Sequence, residues 1–344
     1  MDRGSALRWE PPPGWERLSV IEAHTGGEPF RVVVDGLPDI PGSTVLERRQ
    51  FARKHLDDLR KAMMWEPRGH ADMYGGWLGP AFSADGDLSV LFVHNEGFST
   101  MCGHGIIALC KVVLDTGMLP ADEPETTLRI DTPAGQVVAT SNVVDGVVRS
   151  TSFLNVPSFA VSLDDDVQVE GLGNVVYDLG FGGAFYAIVD AGSVGVDLDD
   201  SAGLIASGRS IKHAIVKTRE ITHPDHPDLG FLYGVIFTGL AIADGAHSRN
   251  VCVFADGEVD RSPTGTGVSA RLAILHARGE VGVGETLTIE SIVGSKFTGR
   301  IAGVTTVGDN AAIVPEIAGT AHITGRAELW LDPADSLGQG FSIR

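Results

Sequence analysis

Two stretches, CGHGIIALCKVVLDTGML (Cys102–Leu119) and TGTGVSARLAILHARGEV (Thr264–Val281), share one design at an offset of 162 residues, from 102 to 264. Each opens on a small-residue turn and runs into an apolar, helix-like segment closed by glycine. Glycines coincide at Gly103 and Gly265, Gly105 and Gly267, and Gly117 and Gly279. A helix placed after such a turn exposes backbone N–H groups without intrahelical partners at its first residues. The helix dipole adds partial positive charge there. Glycine lets an anion come close to those groups.

The elements around the two stretches recur in the same order. RLSVIEAHTGGEPFRVVVDGL (17–37) reads as strand, Gly-Gly turn, strand. TVLERRQFARKHLDDLRKAMMWEP (44–67) reads as one amphipathic helix ended by Pro67. LSVLFVHNEG (88–97) is a strand, and the Cys102 helix follows it. Residues 127–159 are rich in β-branched residues and turn signals, which predicts consecutive antiparallel strands. DSAGLIASGRSIKHAIVKTRE (200–220) is the second half's first helix, before more strands and the Thr264 turn. This succession predicts internal duplication into two α/β halves. We place 1–155 plus 328–344 in the first and 156–327 in the second.

The chain has 344 residues, 43% of them apolar, and a formal net charge of −19. Nucleic-acid binding relies on Lys and Arg neutralising phosphates, so this charge argues against it. No apolar run is long enough to span a bilayer, and the N-terminus has no secretory h-region. Three cysteines, Cys102, Cys110 and Cys252, are too few for a disulfide framework. A reducing, cytoplasmic setting is expected. The sequence leaves the oligomeric state open, a homodimer included. No zinc spacing appears, and HPDHPD (223–228) reads as a solvated, proline-broken loop, so no metal and no cofactor are expected.

Two facing helix ends would grip a carboxylate without any Lys or Arg. Cys102 at one of them is placed to ionise and to act as nucleophile or base. His104 lies two residues on, able to orient the thiolate or touch a ligand. Asp260, before the second turn, suits a ligand ammonium. Together these predict an amino acid as ligand. Read singly, each residue also has an ordinary use: Cys102 as an inert thiol, His104 in packing, Asp260 in a turn, Thr264 as an N-cap.

The motifs MCGHG (101–105) and DRSPTGTG (260–267) resemble the paired active-site motifs of the proline racemase family. HTGGEP (24–29), RGHADMYG (68–75), HNEG (94–97), GGAFYAIVD (182–190) and DLGFLYGVIFTG (228–239) extend the likeness in the same order. The resemblance implies a fold like that of diaminopimelate epimerase. Such a fold has two pseudo-symmetric halves, each wrapping strands around a central helix, with the ligand in the cleft between. In the racemases both turns carry cysteine, one removing the α-proton while the other protonates the opposite face. Here Thr264 stands in the second position, and a threonine hydroxyl is far too weak an acid for that exchange.

The Cys/Thr pair resembles the trans-3-hydroxy-L-proline dehydratase branch, whose members eliminate water to give Δ1-pyrroline-2-carboxylate. By resemblance Gly103, His104, Gly265 and Thr266 present N–H groups to the substrate carboxylate, and Asp260 meets the ring amine. Tyr74 and Phe254 form an aromatic wall, Cys102 and Thr264 face the reacting carbon, and Cys110 and Cys252 are structural. The alternatives are a proline or hydroxyproline racemase or epimerase and a non-catalytic amino-acid-binding protein.

Overall fold

The computed structural model describes residues 3–343. After a short helix α1 (Arg3–Leu7), the first half runs β1 (Glu16–Thr25), β2 (Glu28–Asp35), α2 (Val45–His55), α3 (Asp57–Met64), β3 (Tyr74–Gly79), β4 (Leu88–His94) and β5 (Gly97–Phe98). It continues with α4 (Gly103–Asp115), β6 (Glu125–Thr132), β7 (Gly135–Val144) and β8 (Val147–Leu154). The second half runs β9 (Ser158–Val169), β10 (Gly173–Phe181), β11 (Phe185–Asp190), α5 (Ser201–Thr218), β12 (Leu232–Gly239), β13 (Ser248–Phe254) and β14 (Glu258–Val259). Then come α6 (Gly265–Ala277), β15 (Thr286–Glu290), β16 (Lys296–Val307), β17 (Asn310–Gly319) and a returning strand β18 (Ala321–Leu331).

Strand pairing makes the duplication explicit. From β1 to β8 the pair senses are antiparallel β1–β2, parallel β2–β3, antiparallel β3–β4, parallel β4–β6, then antiparallel β6–β7 and β7–β8. From β10 to β17 the same senses recur in the same order, with β11, β12, β13, β15 and β16 in the equivalent places. Parallel neighbours need a crossover. α4 bridges β4 to β6, and α6 bridges β13 to β15. In the second half β9 pairs with both β10 and β17, closing the strands around α6. In the first half β18 pairs with β1. The halves are stitched by β8 against β17, from Leu154 opposite Glu316 to Thr151 opposite Gly319.

The central helices are apolar all round, as a helix enclosed on every side must be. In α4 every residue from Gly103 to Leu114 is buried, and in α6 nearly all are. Both end at a glycine with left-handed backbone, Gly117 (φ 73°) and Gly279 (φ 75°), the position where only glycine is free of Cβ strain.

Two expectations need adjustment. The single helix expected over 44–67 is two helices, α2 and α3, broken at Leu56 (φ −124°, ψ 17°). The break redirects α3 so that the buried Arg60 guanidinium reaches the His94 carbonyl at 2.8 Å. The join drawn at 155/156 falls between β8 and β9, whereas the one at 327/328 falls inside β18, which lies along β1 from Ala321. Among the described residues no helix is long and apolar enough to cross a membrane.

Candidate active site

The N-termini of α4 and α6 meet tip to tip. A Cβ built on Gly103 would lie 2.6 Å from the Gly265 Cα, and one on Gly265 would lie 2.8 Å from the Gly103 Cα. Only glycine at both places allows this approach. The Cys102 backbone is extended (φ −145°, ψ 109°), and its sulfur caps α4 by accepting the Gly105 N–H at 3.3 Å. Its carbonyl accepts the Ile106 N–H at 3.0 Å. The Gly103 and His104 N–H groups belong to the first helical turn, which finds no acceptor within its own helix.

Thr264 occupies the matching place before α6, and its carbonyl accepts the Val268 N–H at 2.7 Å. Its backbone is left-handed (φ 68°), a region disfavoured for a β-branched residue. The hydroxyl does not cap the helix; it donates to Asp260 Oδ2 at 2.8 Å. Asp260 Oδ1 accepts the Ser262 N–H at 2.7 Å, and Ser262 Oγ accepts the Thr264 N–H at 3.1 Å. Asp260 is thus both the turn residue and a carboxylate lining the cleft.

All nine residues singled out in the sequence line one cleft between the halves: Tyr74, Cys102, Gly103, His104, Phe254, Asp260, Thr264, Gly265 and Thr266. Its cavity volume is about 20 Å³, closed down to the room of a single water. Met101, Tyr186 and Tyr233 line it as well, and the sequence reading passed over them. Tyr186 Oη bonds Thr266 Oγ1 at 2.7 Å, and Tyr233 Oη lies 3.2 Å from Tyr74 Oη. A signal did exist. A tyrosine inside an otherwise apolar strand must find a partner for its hydroxyl when buried. Phe254 stacks on Tyr233 at 5.4 Å, completing the aromatic wall with Tyr74.

The electrostatics correct one expectation. A helix N-terminus lowers a thiol pKa, yet the Cys102 thiol stands well above its ordinary value, because burial dominates and the Asp260 and Glu28 carboxyls add to it. The Gly105 N–H, hydrogen-bonded to the sulfur, and the nearby Tyr74 hydroxyl oppose the rise without cancelling it. His104 Nδ1 lies 3.2 Å from the sulfur. Burial keeps its ring below its usual pKa. Cys252, on β13, is fully buried in the core. Cys110, remote from the cleft, is pushed up by burial to about 12.

Glu28, within the HTGGEP stretch, was also passed over. It is fully buried, and its Oε2 accepts the Arg261 N–H at 2.7 Å, linking β2 to the Asp260 turn across the halves. Burial, then Asp260, raises its pKa well above the carboxylate range. A carboxyl raised on folding stabilises the native state fully below its unfolded value of about 4.5. That contribution declines by up to about 1.4 kcal/mol per pH unit as pH climbs toward the folded value, and is gone above it. Glu28→Gln keeps the acceptor and cannot ionise. Denaturant unfolding across this window is expected to show the parent losing stability with rising pH relative to the variant; parallel profiles would refute the assignment.

HPDHPD is less solvated than expected at its first residue. His223 is buried against Phe181 at 4.7 Å, and its Nδ1 accepts the Asp225 and His226 N–H groups. Among the described residues no three His, Cys, Asp or Glu side chains are grouped to hold a metal ion.

Two halves of one α/β design, joined at glycine helix tips that carry a cysteine on one side and a threonine on the other, define a duplicated, diaminopimelate-epimerase-like protein. The chain belongs to the proline racemase family, whose model matches residues 20–342. It is 43% identical over 342 residues to a trans-3-hydroxy-L-proline dehydratase of Colwellia psychrerythraea, covering 98% of this chain and 96% of that one. It is 44% identical to a 3-hydroxyproline 2-epimerase of Burkholderia multivorans, covering 95% and 98%. A hydroxyproline epimerase from Agrobacterium vitis, solved with trans-4-hydroxy-L-proline bound, superimposes with a TM-score of 0.91 at 34% identity, covering 96% of each chain. Relatives bearing dehydratase and epimerase names stand equally near, so overall identity does not separate the two activities.

Proposed function

We propose that this chain is a hydro-lyase that dehydrates trans-3-hydroxy-L-proline to Δ1-pyrroline-2-carboxylate by proton transfers alone, with Cys102 as the base. The observation that carries the reading is the asymmetry of the site: one thiol, with a threonine hydroxyl committed to Asp260 in the opposite place. Inversion needs an acid and a base on opposite faces of the α-carbon. Elimination from the trans-3-hydroxy isomer needs only one face, because the hydroxyl is trans to the carboxylate and therefore on the side of the α-hydrogen.

In this reading the substrate carboxylate sits on the N–H groups of Gly103, His104, Gly265 and Thr266. Those donors also stabilise the enolate-like charge that develops there as the α-proton leaves. The ring ammonium sits at Asp260, packed between Tyr74 and Phe254. Its positive charge offsets the carboxyls that add to burial in holding the Cys102 thiol neutral, and His104 takes the thiol proton. Substrate binding thus creates the base it needs. Loss of hydroxide gives an enamine that tautomerises to the cyclic imine. The cleft is too small for an imino acid as it stands, so the two halves part to admit it. We assign residues 1–155, the returning β18 and the C-terminal segment after it to one moving half, and the residues between to the other. Free, buried cysteines support a reducing, cytoplasmic setting.

The test is direct. Incubation with trans-3-hydroxy-L-proline is expected to give the coloured o-aminobenzaldehyde adduct of the imine, and proline and the 4-hydroxyproline isomers none. A change of optical rotation without imine would establish an epimerase instead.

A further inference from the structure

Elimination of water asks for two proton movements, one from carbon and one onto the departing oxygen. The first has its base in Cys102. A neutral donor must serve the second, placed on the same face and next to the sulfur. The thiol formed at the α-carbon would have to swing toward C3 to supply that proton itself.

Resting on the dehydratase reading above, we infer that the Tyr74 hydroxyl is the general acid that protonates the leaving 3-hydroxyl, and that Cys102 then restores its proton. Tyr74 opens β3, on the same half as Cys102, and lines the same cleft. Its ring is buried and held in place by His94 stacked at 5.4 Å and His104 edge-on at 4.9 Å. The hydroxyl lies 3.2 Å from Tyr233 Oη, in the cleft that the Cys102 sulfur also lines. Of the other hydroxyls of the cleft, Tyr186 and Thr266 pair with each other, Thr264 is on Asp260, and Tyr233 is paired with Tyr74. The His104 ring sits against the sulfur, Nδ1 at 3.2 Å, where it receives the thiol proton. Burial keeps the Tyr74 phenol protonated, so its proton is available.

The cycle closes without an outside acid. The Cys102 thiolate takes the α-hydrogen, and the C–H electron pair passes into the enolate. That pair forms the Cα–C3 double bond as the C3–O bond breaks, and the departing oxygen takes the Tyr74 proton to leave as water. The Cys102 S–H returns its proton to the phenolate within the cleft that both side chains line. Thiolate and phenol are both regenerated, and the α-hydrogen has in effect left on water.

Tyr74→Phe is expected to lower dehydration by about 100-fold or more, the usual worth of a positioned acid. It should keep exchange of the α-hydrogen with deuterium from D2O within about fivefold of the parent, since Cys102 and its partner His104 stay in place. Elimination of fluoride from trans-3-fluoro-L-proline, a leaving group that needs no proton, should be nearly spared. Equal loss of all three reactions, or none, overturns the assignment. So does Tyr233→Phe carrying the large effect in place of Tyr74→Phe. Should Tyr74→Phe not fold, 3,5-difluorotyrosine at position 74 is expected to move the alkaline limb of kcat to lower pH; an unmoved limb overturns the proposal. A wild-type protein that forms no imine would instead refute the dehydratase reading, which separates the two failures.

Discussion

Cys102→Ser is expected to remove turnover of trans-3-hydroxy-L-proline by about 1,000-fold or more while leaving the fold and the binding of the substrate intact. Serine is among the best N-cap residues, so its Oγ replaces the sulfur as acceptor for the Gly105 N–H. Stability is therefore expected to stay within about 1 kcal/mol of the parent. The hydroxyl holds its proton far more tightly than a thiol does, so His104, which takes the proton from sulfur, does not take it from serine Oγ. The four N–H groups at the helix tips and the Asp260 carboxylate are unchanged, so calorimetric titration with the unreacted substrate should give an affinity close to that of the parent. A protein that only bound imino acids would show no activity to lose. One that used a different base would keep at least a tenth of its turnover after the substitution, and either result would end the case for Cys102.

The parts of the fold that were legible in the sequence are those that short-range physics dictates. The glycine turn, the apolar helix and the C-terminal glycine of α4 recur in α6 because a buried helix tip meeting another backbone has few alternatives. Strand alternation and turn residues marked β6 through β8 for the same reason. What escaped the sequence depends on contacts between distant segments. The break at Leu56 answers to Arg60 and the His94 carbonyl, which no local pattern announces. Tyr186 and Tyr233 lie in strands apolar enough to read as core, and they are core; their hydroxyls belong to the site only because Thr266 and Tyr74 come from elsewhere in the chain. Glu28 looks like an ordinary polar residue after a turn until the fold seals it beside the Asp260 turn. The charge state of Cys102 shows the same limit. The helix-end rule is local, and the desolvation that overrides it is set by the whole cleft.

Gly103→Ala tests the other half of the argument, that the site is built by backbone meeting backbone. The added methyl would stand 2.6 Å from the Gly265 Cα and 3.1 Å from its carbonyl carbon, with Phe153 Cζ at 3.0 Å. A flexible side chain could turn aside, but the tip of α6 cannot, because nearly every residue of that helix is buried. The two helix ends must separate, and the N–H groups proposed to share one carboxylate no longer converge on it. We expect kcat/KM to fall by about 100-fold or more, the scale seen when a preorganised donor is withdrawn from a developing oxyanion. Overpacking of this kind is also expected to cost about 1–3 kcal/mol of stability. Gly117→Ala supplies the contrast. At the far end of α4 a Cβ meets nothing within 4 Å, but the backbone is left-handed at φ 73°. That substitution should cost about 1 kcal/mol through backbone strain alone and leave kcat/KM unchanged. Thermal unfolding and steady-state kinetics on the two variants separate loss of stability from loss of the anion site. If Gly103→Ala merely lowered stability and kept its kcat/KM, the meeting of the helix tips would be an element of packing and the substrate carboxylate would have to be held elsewhere.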